Sequence, residues 1–149
     1  MLSKAKILEQ LFRQLNSRIE ELKAAQTLLK ESRDNESKSS AGDKYETGRA
    51  MAQIELDKLE QQLNNQLELQ AELLKIKPKV ETEKIGFGSL VNCSTGKYFI
   101  SVGLGKITIY GYIVYAISLA SPLGQALKGA QKGNSILFNG NTIQIINVI

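Results

Sequence analysis

The chain has 149 residues, of which 42% are hydrophobic and 23% charged, a composition that suits a soluble folded protein with room for one compact domain, or for a smaller one plus an extended element. It contains no His and a single Cys, which excludes His-based catalysis, His–metal ligation and any intramolecular disulfide. The net charge of +4 is uneven: residues 1–84 carry 15 Lys+Arg and 15 Asp+Glu, whereas residues 85–149 carry Lys97, Lys106, Lys128 and Lys132 and no acid.

That break falls next to Pro78 and points to two parts, the second basic enough to favour an acidic partner surface or nucleic acid. One unpaired cysteine fits a reducing compartment, so a cytoplasmic location is expected. Lys4, Lys6 and Glu9 interrupt any apolar stretch at the start, so no signal peptide is expected there.

Residues 3–33 hold no Gly or Pro, and Leu8, Leu15, Leu22 and Leu29 recur every seven residues beside Ala5, Phe12, Ile19 and Gln26. This is a heptad seam and predicts a coiled-coil helix. The polar run 34–42, "DNESKSSAG", breaks the pattern. Helical spacing resumes over 49–76, with Leu56, Leu59, Leu63, Leu67 and Leu74 as the expected stripe. Two helices joined by a short polar segment predict an antiparallel hairpin over 1–77, with its acidic tip at 34–48. At about 1.5 Å per residue each arm is roughly 45 Å long. So thin an object buries little core and should rely on anchoring at its base or on a partner.

Lys77-Pro78-Lys79 ends the second helix, and 78–84 reads as a linker. The period then changes to two. "GSLVNCS" and "KYFISVG" flank a Thr95-Gly96 turn, and "ITIYGYIVYAIS" follows. From Ile107 to Leu127 no residue is charged over 21 positions, long enough to span a bilayer. The polar and β-branched content argues instead for a buried strand followed by a helix, and no membrane contact is expected. Ser121 fits an N-cap, Pro122 the first helical position and Gly129 the C-terminal cap of a helix over 122–128. "SILFNGNTIQIINVI" closes the chain as a hairpin turning at Asn139-Gly140. The predicted class is α+β: a helical hairpin, then a small antiparallel β domain over 85–149 with one short helix.

Asp43-Lys44-Tyr45-Glu46 admits two readings. One is a capping box, with Asp43 at N-cap and Glu46 at N3 of the second helix. The other is metal coordination: two carboxylates three residues apart on a helix start lie about 5–6 Å from each other, and hard oxygen ligands suit Mg²⁺. On a solvated tip such a pair binds Mg²⁺ weakly unless another protein completes the site. No other site chemistry stands out. Cys93 lies in a predicted strand and reads as a buried structural thiol. "GFG" (86–88) and "GLGK" (103–106) match no nucleotide-binding pattern. Tyr98, Tyr110, Tyr112 and Tyr115 suggest either a stacking surface for single-stranded nucleic acid or half-buried strand residues with wet hydroxyls.

The segment "ISLASPLGQALKGAQKGNSI" (117–136) resembles the signature of the bacterial GreA/GreB transcript-cleavage factors. In that family a Ser-Pro opens a short helix and a "GxxxGD" turn leads to the next strand. Here Ser121-Pro122 and Gly129…Gly133 match, with Asn134 in place of Asp. "FGSLV" (87–91) resembles the first strand of the same domain. The family tip, Gly-Asp-x-x-Glu, is similar to Gly42-Asp43-Lys44-Tyr45-Glu46.

The resemblance implies an FKBP-like C-terminal domain that docks on RNA polymerase, with Ser121, Pro122, Gly129 and Gly133 as partner-binding residues. It implies a coiled coil that enters the polymerase secondary channel and reaches the nascent RNA 3′ end. Asp43 and Glu46 would share the second Mg²⁺ of the polymerase active centre, so that the polymerase, not this chain, hydrolyses backtracked RNA. The chain is thus expected to be no enzyme, to hold no cofactor stably alone and to act as a monomer. Thr47-Gly48-Arg49-Ala50 departs from the family's Asn-Ala-Glu-Tyr, placing Arg49 where an acid is usual. The resemblance therefore also admits a relative that occupies the channel without stimulating cleavage, and the residues alone admit a coiled-coil adaptor unrelated to polymerase.

Overall fold

A computed structural model describes the backbone of residues 2–39 and 43–149, with side chains 36–45 outside the described set. Two long helices, α1 (Lys4–Ser39) and α2 (Asp43–Leu74), precede six strands and a short helix. The strands are β1 (Leu90–Cys93), β2 (Gly96–Ser101), β3 (Gly105–Ile109), β4 (Tyr112–Ser118), β5 (Ser135–Phe138) and β6 (Asn141–Val148), with α3 (Pro122–Leu127) between β4 and β5. The chain divides into two compact units, Arg13–Gln70 and a second made of Met1–Phe12 with Ala71–Ile149.

In the unit Arg13–Gln70 the two arms run antiparallel. The Arg33 Nη1 group donates to Gln53 Oε1 at 3.1 Å, and the Gln70 amide donates to Asn16 Oδ1. Leu15, Ile19, Leu22 and Leu56 are buried along the seam, and Leu59, Leu63 and Gln66 are half-buried. Two expectations change here. First, α1 does not stop before the polar run but continues through 34–39; that stretch has no Gly or Pro to break a helix. Second, the α2 stripe does not hold Leu67, which is 40% exposed, and in the part of α2 that belongs to the other unit Leu74 is 71% exposed whereas Leu73 is 0% exposed. The seam alternates steps of three and four, as a 3.5-residue repeat requires, whereas successive steps of four drift around the helix.

In the other unit the six strands form one sheet in the order β3-β4-β2-β1-β6-β5. The pairs β1–β2, β1–β6, β3–β4 and β5–β6 are antiparallel, as expected, and β2–β4 is parallel. The parallel pair exists because "ITIYGYIVYAIS" is not one strand. It is the β3–β4 hairpin, which reverses at Tyr110-Gly111 and inserts β4 between β3 and β2. Tyr110 takes φ 49° and Asn139 φ 50°, each opening a two-residue turn before a glycine. That backbone twist suits a hairpin. Asn-Gly announces it in sequence, whereas Tyr-Gly does not, since tyrosine rarely adopts positive φ.

Side chains alternate across each strand. One face carries Val91, Cys93, Ile100, Ile143 and Ile145, which form the core with Ile85 and with Leu127 of α3. Phe99, Val114 and Ala116 point the other way and are also buried. The segment before β1 is held by backbone bonds from Ile85 N to the Ala130 carbonyl at 2.9 Å and from Gly129 N to the Ile85 carbonyl at 2.8 Å. Lys4, only 4% exposed, donates from Nζ to the Val80 carbonyl at 2.8 Å. Burial lowers its pKa below 10.5, with nearby Glu81 pulling it back up.

Candidate functional site

The acidic motif lies at the start of α2, which begins at Asp43. The Asp43 side chain, Gly42, and the flanking Lys38 and Lys44 side chains lie outside the described residues, so capping by Asp43 and its availability to a metal both do too. Glu46 sits in the first turn of α2 and is exposed. An exposed carboxylate at a helix start is electrostatically favoured there and is open to a cation or partner. Arg49 follows three residues later, also exposed, and is engaged by a neighbour. A polar contact joins the two arms beyond the motif and is extended along α2. Arg33 reaches Gln53, and the Gln53 amide donates to Asp57 Oδ1 at 2.9 Å.

Among the described residues no group of three or more His, Cys, Asp or Glu side chains could hold a metal ion. The donor chemistry at the tip is that of hard carboxylate oxygen, which fits Mg²⁺, an ion that keeps most of its water and accepts one or two protein carboxylates. The motif residues fit such an ion as a partial ligand set, with the rest to come from elsewhere.

The second constellation surrounds α3. Ser121 is its N-cap, with Oγ accepting from Gly124 N at 3.1 Å and donating to the Ser118 carbonyl at 2.7 Å. Pro122 occupies the first turn, where a missing N–H costs nothing. Gly124 was not singled out by the sequence reading, yet it is the tightest residue here. A Cβ on it would lie 2.2 Å from the Ser118 carbonyl oxygen and 2.8 Å from that of Leu119. Its signal was a glycine inside a helical pattern, which suggests close backbone approach. Gly129 and Gly133 have φ of 81° and 89°, a conformation that favours glycine. Gly133 N donates to the Ile145 carbonyl at 2.8 Å. Asn134 Oδ1 accepts from Gln131 N at 2.8 Å, a turn bond that an Asp carboxylate could equally make. Ser121 and Pro122 open α3 and Gly129 and Gly133 lie in the α3–β5 connection, in a different unit from Asp43 and Glu46.

The tyrosines do not form one surface. Tyr98 and Tyr115 are register partners on β2 and β4, stacked with ring centroids 5.7 Å apart. Tyr112, three residues before Tyr115, falls on the opposite face and carries Lys97 Nζ over its ring at 5.2 Å. Tyr110 lies in the β3–β4 turn beneath Lys6 Nζ at 5.0 Å. A continuous stacking platform is therefore not built. Cys93 is buried, and burial pushes its thiol up to about 11, so it is a core residue and not a nucleophile. Among the described residues no helix is long and apolar enough to cross a membrane.

No family model matches the chain, and no curated protein matches it. Among solved structures it is similar to GreA factor homolog 1 (Gfh1) of Thermus thermophilus, at 22% identity over 95% of this chain and 94% of that one, with a TM-score of 0.34. It is also similar to Thermus aquaticus Gfh1, at 25% identity over 99% and 96% with a TM-score of 0.33. A structure of the transcription factor Gfh1 matches at 24% identity over 99% and 95%, with a TM-score of 0.32.

Proposed function

We propose that this chain is a Gre-type transcription elongation factor that binds RNA polymerase and stimulates Mg²⁺-dependent cleavage of backtracked RNA. In this reading it acts as a cytoplasmic monomer. The β domain docks on the polymerase through the Ser121–Gly133 corner. The hairpin enters the secondary channel and meets the nascent RNA 3′ end. Asp43 and Glu46 contribute carboxylate oxygens to a Mg²⁺ ion otherwise held by the polymerase, and that ion supplies charge stabilisation for hydrolysis. The chain is not itself the nuclease. Its own residues position and orient: the antiparallel arms present the tip, and Glu46 stands open at the start of α2.

The observation that carries this reading is the Gly42-Asp43-x-x-Glu46 motif, set at the beginning of the second arm of an antiparallel hairpin. The α3 corner supports it, since Ser121, Pro122, Gly129 and Gly133 each fill the turn or cap that the resembling signature requires. The test uses stalled, backtracked elongation complexes with and without the protein. RNA shortening that disappears in the Asp43→Ala/Glu46→Ala double variant is the expected result. No shortening by the wild type, or equal shortening by the double variant, overturns the cleavage role.

Arg49 favours a second reading, in which the factor occupies the channel without stimulating cleavage. A cation at that position opposes the accumulation of negative charge that a shared Mg²⁺ needs. Competition against a cleavage-competent factor, with no shortening by this chain alone, identifies that case. Failure to co-purify with RNA polymerase leaves only an adaptor role.

A further inference from the structure

β5 forms one edge of the sheet, with β6 as its neighbour. Which of its backbone groups face outward follows from its two ends. The Asn134 carbonyl accepts from Ile145 N at 2.8 Å, on the β6 side. At the other end Phe138 and Asn141 close the two-residue turn Asn139-Gly140. In an antiparallel ladder alternate residues bond to the same neighbour, so Asn134, Ile136 and Phe138 face β6. The N–H and C=O groups of Ser135 and Leu137 therefore face away from the sheet, and among the described residues no bond from outside the sheet reaches them. Both residues are exposed, Leu137 at 72%.

We propose that the β5 edge pairs with β5 of a second copy of this chain, antiparallel about a two-fold axis. Sheet edges are commonly blunted by Lys, Pro or a bulge, and the opposite edge, β3, carries Lys106. β5 has no such guard. It reads Ser-Ile-Leu-Phe, and no residue from Gly133 to Ile149 has a charged side chain. Lys132, the nearest charge in sequence, precedes the paired stretch, and α3, which packs against β5, carries none. The C-terminal carboxylate belongs to Ile149, whose backbone bonds to Leu90 beside β1, on the far side of β6. A neutral edge of this kind fits another neutral edge, because no charge has to be desolvated in the pairing. One register satisfies every outward group. With Ile136 opposite Ile136 of the second copy, Ser135 of each chain exchanges N–H···O=C bonds with Leu137 of the other. The two Leu137 side chains then lie diagonally on one face, at about 7–8 Å, within reach of each other. The pairing is isologous and closed: it consumes both β5 edges, so assembly stops at a dimer. A strand of four residues buries less than the roughly 1,200 Å² of stable complexes, which sets a dissociation constant of about 0.1–1 mM. The dimer is a property of the free chain and is independent of the polymerase reading, in which a single copy acts.

The test is sedimentation equilibrium of the full chain from about 10 µM to about 1 mM. The mass should rise from 16.4 kDa towards twice that value. Across the same range the Ser135 and Leu137 amide resonances should shift, while that of Thr108 on the other edge stays in place. Leu137→Lys sets like charges near the two-fold axis and should weaken association at least about tenfold. Its melting temperature should match the wild type's, because the Leu137 side chain is exposed. Thr108→Lys adds the same charge to the β3 edge and should associate as the wild type does. A constant mass up to about 1 mM, undiminished association of Leu137→Lys, which would place the contact elsewhere, or an equal loss in Thr108→Lys overturns the proposal.

Discussion

At the scale of single residues, the α3 corner is governed by close approach and not by propensity. Gly124→Ala would drive a Cβ to 2.2 Å from the Ser118 carbonyl oxygen, so the backbone must move, and a loss of about 1–3 kcal/mol is expected by urea denaturation. Gly103→Ala is the control: nothing lies within 4 Å of its Cβ position, and a stabilisation of about 0.4–1 kcal/mol is expected from the stiffer unfolded chain. A similar loss for both would contradict the close-approach argument. Cys93 makes a prediction in pH. Its thiol is raised from 9.0 to about 11 by burial, so the neutral form is favoured in the fold. The contribution to stability is fully present below pH 9 and is lost as pH rises from 9 towards 11. Cys93→Ala should flatten the fall in stability across that window. Thiol reagents at pH 8 should label the native chain far more slowly than the urea-unfolded one.

At the scale of elements, the decisive comparison is between adjacent leucines. Leu73 is 0% exposed and Leu74 71%. Leu73→Ala should cost about 2–5 kcal/mol and Leu74→Ala less than about 0.5 kcal/mol, read from thermal melts of the two variants. The reverse order would restore the stripe that spacing alone suggested. This pair shows where the sequence is legible and where it is not. The α1 seam could be read from Leu8, Leu15 and Leu22, because each repeat falls on a leucine and all three are buried. In α2 the true seam passes through Gln66 and Gln70, both half-buried, and polar residues at seam positions hide the period from a hydrophobic pattern. The β domain behaves likewise. Asn139-Gly140 and Ser121-Pro122 carry their local geometry in their chemistry, whereas the Tyr110-Gly111 turn hides a hairpin inside an apolar run. The parallel β2–β4 pair follows from that turn and was invisible for the same reason. The α3 corner was legible in its Ser, Pro and Gly residues, but the need for Gly124 was not, because it depends on where the β4–α3 connection brings the Ser118 carbonyl.

At the scale of the whole molecule, the partition of charge lets the two proposed roles, docking and support of cleavage, be tested independently. Residues 85–149 hold four lysines and no acid, while the Asp43/Glu46 motif belongs to a stretch of balanced charge. If docking is carried by the basic β domain, binding to polymerase should weaken as salt rises, because exposed charges are screened beyond about 8–10 Å at physiological ionic strength. The Asp43→Asn/Glu46→Gln variant should keep that binding and its salt dependence, since neither residue belongs to the basic domain, while losing any stimulation of RNA shortening. Arg49→Glu tests the opposite change. It places a carboxylate three residues beyond Glu46 on the same helix, where facing side chains lie about 5–6 Å apart, and so raises the negative charge available to a shared Mg²⁺. If Arg49 suppresses cleavage, Arg49→Glu should stimulate shortening at lower Mg²⁺ than the wild type, with polymerase affinity unchanged. An unchanged Mg²⁺ dependence would remove Arg49 as the cause and leave the channel-occupying reading without its supporting observation.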